Sequence, residues 1–155
     1  MSDDDARWMD LALAEAAAAA VLGEVPVGCV VVGADGVELA RAHNLREAHE
    51  DPSAHAEILA LRAAGARLGT WRLERATAYV TLEPCFMCAG AFVNARIGTV
   101  VYGCADPKAG ALGSLHDLSA DARLNHRFDV RRGVSAEACS DLLRAFFRTR
   151  RKGSR

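Results

Sequence analysis

The sequence lacks the features of a membrane or secreted protein. Its longest apolar run, residues 16–22, is rich in alanine and falls well short of the ~18 residues that a membrane-spanning helix needs. Residues 1–5 are acidic where the start of a secretory signal would be basic, and the five cysteines are an odd number. We therefore expect reduced thiols, no membrane association and a cytoplasmic location.

The sequence also lacks internal repeats, and it has no low-complexity segment beyond its alanine run. With 155 residues, 51% hydrophobic and 25% charged, it suits one domain, residues 1–155, with a sizeable core. The net charge of −1 is unevenly distributed, since acids dominate residues 1–24 and residues 144–155 contain bases but no acid. The basic C-terminal helix end, residues 144–155, is either an electrostatic site for phosphates or simply a solvated helix end.

Hydrophobic periodicity and turn residues predict alternating helices and strands. A continuous β-branched run begins at Val25 and favours a strand that is buried on both faces. Ser53 offers a hydroxyl cap for the helix that follows it. The segment 104–127 has no clear period, and we expect it to be functional. The predicted elements are a helix at 6–22, a hairpin at 25–43, a helix at 55–66, a strand at 77–82, a helix ending at 95, a parallel strand at 98–103, a short strand at 128–132 and a helix at 135–151.

Two cysteines, Cys85 and Cys88, follow Pro84 with the spacing of a helix start. On the first turn of a helix both sulfur atoms leave the same face. The unpaired N–H groups and the positive end of the helix dipole favour the thiolate form that a metal binds. This segment therefore predicts half of a zinc site.

The third metal ligand that we infer is His55, which opens another predicted helix. Three protein ligands leave one position for water, and this is typical of catalytic zinc. Glu57, two residues further on, could take a proton from that water and pass it on. His-x-Glu followed by Pro-Cys-x-x-Cys is the signature known from zinc-dependent nucleobase deaminases.

With these motifs placed, nearly the whole chain resembles the cytidine deaminase-like superfamily and, within it, the bacterial tRNA-specific adenosine deaminase family. The deaminase signature alone indicates only the superfamily, whereas the loop after Gly103 and the Phe-Phe-Arg-x-Arg-Arg tail indicate the family. Two positions depart from the family pattern. Leu45 stands where the family more often has Arg, and Cys104 stands where a small residue is usual, so we interpret Cys104 as a packing residue. The segments that carry the resemblance are 24–28, 55–58, 81–91, 96–98, 101–103, 106–111, 113–115, 125–127 and 146–151.

The resemblance implies an α/β fold, a three-layer α/β/α sandwich around a five-stranded mixed sheet, and a homodimer. It implies a hydrolase that converts adenosine to inosine at the wobble position of a tRNA anticodon stem-loop. His55, Cys85 and Cys88 would bind one zinc ion per subunit, and Asn44 would contact the flipped adenine. Glu57 would give its proton to N1 of the base during attack at C6 and later help ammonia to leave. Further residues expected to contact the substrate are Asp106, Lys108, Phe147, Arg148 and Arg150.

Three other functions are compatible with parts of this pattern. A deaminase of free bases or nucleotides, such as guanine, cytosine or deoxycytidylate, would have the same fold and zinc site, and only residues 104–127 and the tail distinguish it. An RNA-binding module with a structural zinc would need a fourth ligand, for which Cys104 is the nearest thiol. A redox protein would use Cys85 and Cys88 as a dithiol.

Overall fold

The computed structural model describes residues 3–153, with side chains through residue 150. The chain forms four α-helices, one short 3-10 helix and five strands over this range. Their bounds are α1 Asp3–Val21, β1 Gly28–Val32, β2 Glu38–His43, α2 Ala56–Leu68, β3 Thr77–Leu82, α3 Phe86–Ala95, β4 Thr99–Cys104, the 3-10 helix Leu118–Ala120, β5 Asp129–Arg131 and α4 Ala136–Gly153. No helix among residues 3–153 is both long and apolar enough to cross a bilayer.

The strands form one mixed sheet in the order β2-β1-β3-β4-β5. β1 is antiparallel to both of its neighbours, whereas β3, β4 and β5 are parallel. Because β2 and β3 both oppose β1, their carboxyl ends lie at the same edge of the sheet. The chain leaves these ends towards α2 and α3, so both helices begin at that edge.

Alternate side chains of β1 enter two separate cores. Cys29 and Val31 pack with residues of α2 and α3, and Val30 and Val32 pack with residues of α1 and α4. All five residues of β1 are buried. The sheet is therefore covered on both faces, which confirms the predicted three-layer α/β/α sandwich.

Asp5 joins three elements, although residues 1–5 suggested only an acidic start. The buried Asp5 carboxylate accepts a hydrogen bond of 3.0 Å from the Tyr79 hydroxyl and bonds of 2.8 and 2.9 Å from the Arg131 guanidinium. α1 is thereby tied to β3 and to the edge strand β5. Burial, and then the bond to Asp5, raise the pKa of Tyr79 to about 12.

Several predicted boundaries were wrong. β1 begins at Gly28, because the Val27 N–H donates to the Val25 carbonyl and makes a tight turn there. α2 continues through Gly65 and ends before Gly69, which has a φ of +71°. Differences of up to three residues affect the remaining helix and strand ends, the largest at the start of α1.

The predicted helix cap at Ser53 was also wrong. The Ser53 hydroxyl donates to Asp51 over 2.7 Å, and the N-cap position of α2 is occupied by His55 without a side-chain cap bond. Of the predicted basic end at 144–155, α4 includes residues up to 153. The side chains of Arg151, Lys152 and Arg155 lie outside the described part of the chain.

Candidate functional site

His55, Cys85 and Cys88 meet at the carboxyl edge of the sheet. His55 is the N-cap residue of α2, Cys85 is the N-cap residue of α3, and Cys88 lies in the first turn of α3. Their ligand atoms all lie within 4.8 Å of one another. His55 Nδ1 is 3.7 Å from Cys85 Sγ and 3.5 Å from Cys88 Sγ. Bond lengths of about 2.3 Å to sulfur and 2.0 Å to nitrogen around tetrahedral zinc put these atoms about 3.6 Å apart, so the three residues fit zinc.

The electrostatics of the two thiols also suit a metal. Hydrogen bonding with Cys88, and then with His55, lowers the pKa of Cys85 to about 4 despite partial burial. The hydrogen bond to Cys85, together with burial, raises the pKa of Cys88 above its ordinary value. A divalent cation that binds between the two sulfur atoms would displace the remaining thiol proton.

Glu57 is buried beside this cluster, with 4% of its surface exposed. Burial is the main cause that raises the pKa of Glu57 to about 7, and the negative charge of Cys85 adds to it. A carboxyl group with such a pKa can both accept and release a proton near neutral pH.

A cavity of about 150 Å³ opens beside the cluster. Sites that enclose whole drug-sized ligands start at roughly 300 Å³, so this cavity can take one ring system but not a nucleotide. It lies between two loops, one after β2 and one after β4. The cavity is lined by Val25, Val27, Asn44, Arg46, His55, Ala56, Glu57, Leu82, Glu83, Cys85, Asp106 and Ala109.

Two of the residues predicted to contact the substrate, Asn44 and Asp106, line this cavity. The Asn44 amide donates to the Val25 carbonyl over 3.2 Å and accepts from the Arg46 N–H over 3.1 Å, so its orientation is fixed. The Asp106 carboxylate accepts from the backbone N–H groups of Lys108 and Ala109.

The other predicted contact residues do not line the cavity. Lys108 is exposed on the loop after β4, and Phe147 and Arg148 are exposed on α4. Arg150, also on α4, donates to the Gly23 carbonyl at the end of α1. Contact between these residues and a substrate stays a prediction.

Sequence reasoning missed Arg46 and Glu83, which also line the cavity. The sequence signal for Glu83 was its position, because it places a carboxyl group between Leu82 and Pro84, directly after an apolar strand. Nothing in the local pattern marked Arg46 beyond its position two residues after Asn44.

Cys104, considered as a fourth metal ligand, is separate from the cluster. Its thiol points to the Thr81 carbonyl over 3.6 Å. Among the described residues the ligand group has only His55, Cys85 and Cys88 as members. This arrangement favours a site with an open position over a sealed structural zinc site.

Comparison with known proteins places this geometry among deaminases. The model of the MafB19-like deaminase family matches residues 3–151. The tRNA-specific adenosine deaminase of Bacillus subtilis (strain 168) is 51% identical over 148 residues, which cover 96% of this chain and 91% of that protein.

Two solved structures extend the comparison. One, from studies of A-to-I editing by tRNA:A34 deaminases at the wobble position of transfer RNA, superimposes with a TM-score of 0.85 at 42% identity, covering 88% of this chain and 99% of the other. The guanine deaminase of Bacillus subtilis superimposes with a TM-score of 0.62 at 34% identity, covering 68% of this chain and 66% of the other.

Proposed function

The chain belongs to the MafB19-like deaminases and, within them, to the tRNA-specific adenosine deaminases, and from this premise we propose that it hydrolyses adenosine to inosine and ammonia at the wobble position of a tRNA. The observation that carries the proposal is the arrangement of three metal ligands and a buried carboxyl group around a cavity that admits one base. We also propose a cytoplasmic location, because the proposed tRNA substrate is used there.

We assign the metal to His55, Cys85 and Cys88, and the metal is zinc because two sulfurs and one imidazole are ligands that it favours. When bound, zinc supplies Lewis acidity that lowers the pKa of a water molecule towards ~7. The three residues also hold the starts of α2 and α3 together, so that Glu57 stays beside the cavity.

Glu57 moves the proton in this proposal. It accepts a proton from the attacking water and delivers it to N1 of the adenine while the new bond forms at C6. Glu57 then takes the second proton from the new hydroxyl group on C6 and passes it to the amine, which leaves as ammonia as the C6–N bond breaks. Burial of Glu57 supports this role, because a carboxyl group with a pKa of about 7 exchanges protons readily at neutral pH.

We propose that Asn44 and Asp106 contact the inserted nucleotide and that α4 and Lys108 contact neighbouring nucleotides. The cavity is too small for a nucleotide, so the sugar and phosphates stay outside it. An unpaired anticodon loop lowers the cost of extruding the base. The side chains of Phe147 and Arg148 are exposed. An aromatic ring can stack on a base and a guanidinium can neutralise a phosphate, and proteins use both interactions to bind single-stranded RNA.

We propose that a homodimer forms through a second, larger groove between α2 and α3. This groove has a volume of about 860 Å³ and mostly apolar walls. Trp71 at its border is 58% exposed, which is unusual for a large aromatic side chain outside an interface. A second copy of the chain would cover this surface.

The deciding experiment compares an anticodon stem-loop RNA that carries adenosine at the wobble position with free adenosine, guanine, cytosine and deoxycytidylate. We expect ammonia release and an A-to-G change in the sequenced RNA, with no reaction of the free compounds. Deamination of a free base with unaltered RNA would support the alternative of a free-base deaminase. Binding of RNA without any reaction would support the RNA-binding module.

A further inference from the structure

Two buried carboxylates that are not metal ligands hold the loops on either side of the cavity. We call residues 44–55, between β2 and α2, the first loop, and residues 105–117, after β4, the second loop. Glu24 is 1% exposed and Glu83 is 2% exposed. Each carboxylate is bonded mainly to backbone N–H groups of one loop.

Glu83 binds the second loop through both of its oxygen atoms. Oε1 accepts from the Asp106 N–H over 2.9 Å, and Oε2 accepts from the N–H groups of Leu112 and Ser114 over 3.1 and 3.0 Å. The Ser114 hydroxyl donates to Oε1 as well. These donors come from positions up to eight residues apart along the loop, so one side chain determines its path.

Gly110 shows how closely the second loop encloses this carboxylate. A Cβ atom at Gly110 would overlap the carboxylate of Glu83. The loop therefore needs a residue without a side chain at this position.

Glu24 has the corresponding role for the first loop. Its Oε1 accepts from the Glu47 N–H over 3.0 Å and its Oε2 accepts from the Ala48 N–H over 2.7 Å. The Glu24 N–H donates to the Ala19 carbonyl at the end of α1. The first loop is thus attached to a rigid helix end.

Both loops supply walls of the cavity. The first loop contributes Asn44 and Arg46, and the second contributes Asp106 and Ala109. A buried carboxylate is tolerated only where donors compensate for the loss of water, and charge-assisted bonds are stronger than neutral ones. Such anchors keep a loop in one conformation before the substrate arrives.

We propose that Glu24 and Glu83 are positioning residues that hold the two loops in the geometry needed to admit the substrate base. The identity of that substrate rests on the proposed function. Neither residue takes part in proton transfer. Glu24 acts through the cavity-lining residues of the first loop, and Glu83, which itself borders the cavity, acts through those of the second loop.

The test uses the zinc-loaded full chain with Glu24→Gln and Glu83→Gln, which keep the side-chain shape but place an NH₂ group against N–H donors. Asp5→Asn is the matched control, because Asp5 is a buried, hydrogen-bonded carboxylate on the opposite face of the sheet. Hydrogen exchange without RNA reports on the loops, and steady-state kinetics on the stem-loop RNA reports on function.

We expect about tenfold faster exchange that is confined to one loop in each variant. The affected amides are those of Glu47 and Ala48 in Glu24→Gln, and those of Asp106, Leu112 and Ser114 in Glu83→Gln. KM should rise about tenfold, with kcat within about threefold of wild type and one zinc per chain. Asp5→Asn should leave loop exchange, KM and kcat unchanged.

Unchanged loop exchange, or a fall in kcat with loss of zinc at constant KM, would overturn the proposal. If Glu83→Gln fails to fold, Ser114→Ala removes one bond to Glu83 and should raise KM about threefold. If Glu24→Gln fails, Glu24→Asp is too short to reach both amides and should act in the same direction. If the wild type reacts with a free base and not with RNA, the proposed function fails, and the same kinetic comparison is made on that base.

Discussion

Glu57 carries the proposed chemistry at the scale of a single residue. It is buried next to the metal-ligand cluster, but the ligand group does not include it. We expect Glu57→Ala to retain one zinc per chain. Its kcat on the stem-loop RNA should fall by about 10²- to 10⁴-fold, which is the usual contribution of an acid–base group to the rate. The measurements are metal analysis and single-substrate kinetics.

The control for this prediction is Glu74→Ala, which removes a surface carboxylate paired with Arg72. It should keep wild-type activity. Activity of Glu57→Ala within about tenfold of wild type would contradict the role of Glu57 in proton transfer.

Cys88 and Cys104 allow a prediction about zinc binding in which one cysteine serves as the control for the other. Cys88 is fully buried within the ligand group, whereas Cys104 bonds to a backbone carbonyl outside it. Cys88→Ala should weaken zinc binding by more than about a hundredfold. Even the loss of a residue that only orients a metal ligand weakens metal affinity by about 10- to 100-fold. Cys104→Ala should keep one zinc per chain, measured by metal analysis after dialysis. Loss of zinc from Cys104→Ala would favour a structural site with four ligands.

At the scale of the elements, α1 and β1 approach each other closely at Gly28. A Cβ atom at this position would overlap the Ala12 carbonyl oxygen in α1. Gly28→Ala should therefore lower the free energy of unfolding by about 1–3 kcal/mol or more, as overpacking does. Gly90→Ala is the control, because Gly90 lies in α3 with open space at its Cβ position. It should be neutral or stabilising by up to about 1 kcal/mol in urea unfolding. Equal effects of the two substitutions would refute the close approach.

The bond between Tyr79 and Asp5 joins β3 to α1 and predicts a pH dependence. The folded state raises the pKa of Tyr79 from 10.0 to about 12, chiefly through burial. Because folding favours the neutral phenol, this stabilisation is fully present below pH 10 and is lost as the pH rises towards about 12. The difference in unfolding free energy between wild type and Tyr79→Phe should shrink by about 2 kcal/mol across this window. Parallel stability curves for the two proteins would show that Tyr79 titrates normally.

At the scale of the whole molecule, the two faces of the sheet carry different functional features. The starts of helices α2 and α3 hold the proposed metal ligands, and the same helices border the apolar groove beside Trp71. The opposite side, with α1 and α4, contains the Asp5 network and the basic helix end. A dimer through the groove would leave Phe147 and Arg148 of α4 uncovered by the partner.

Ala91 in the groove offers a direct test of the dimer. Ala91→Glu places a charge among apolar walls, so we expect the solution mass from light scattering to fall from that of a dimer to that of a monomer. Val21→Glu is the control, because Val21 is 86% exposed at the end of α1. An Ala91→Glu protein that stays dimeric would place the interface elsewhere.

The deaminase signature and the order of the elements followed from the sequence alone. His55 and Glu57 are two residues apart, and Cys85 and Cys88 are three apart, so their chemistry is visible as a local pattern. The alternation of helices and strands was predicted for the same reason, because periodicity depends on neighbouring residues. Boundaries were less accurate, since a cap such as Ser53 depends on which partner its hydroxyl finds.

Only the tertiary structure showed what Glu24, Glu83 and Asp5 do. The hydrogen-bond partners of the two glutamates lie 23 to 31 residues away in the sequence. Those of Asp5 lie 74 and 126 residues away. The glutamates bind mainly backbone N–H groups, which every residue except proline carries. Such a contact therefore cannot be predicted from a pattern of side chains in the sequence. The sequence by itself therefore determined which residues can do the chemistry, and the folded chain decided which buried charges hold the surrounding loops, because those bonds join segments that meet only after folding.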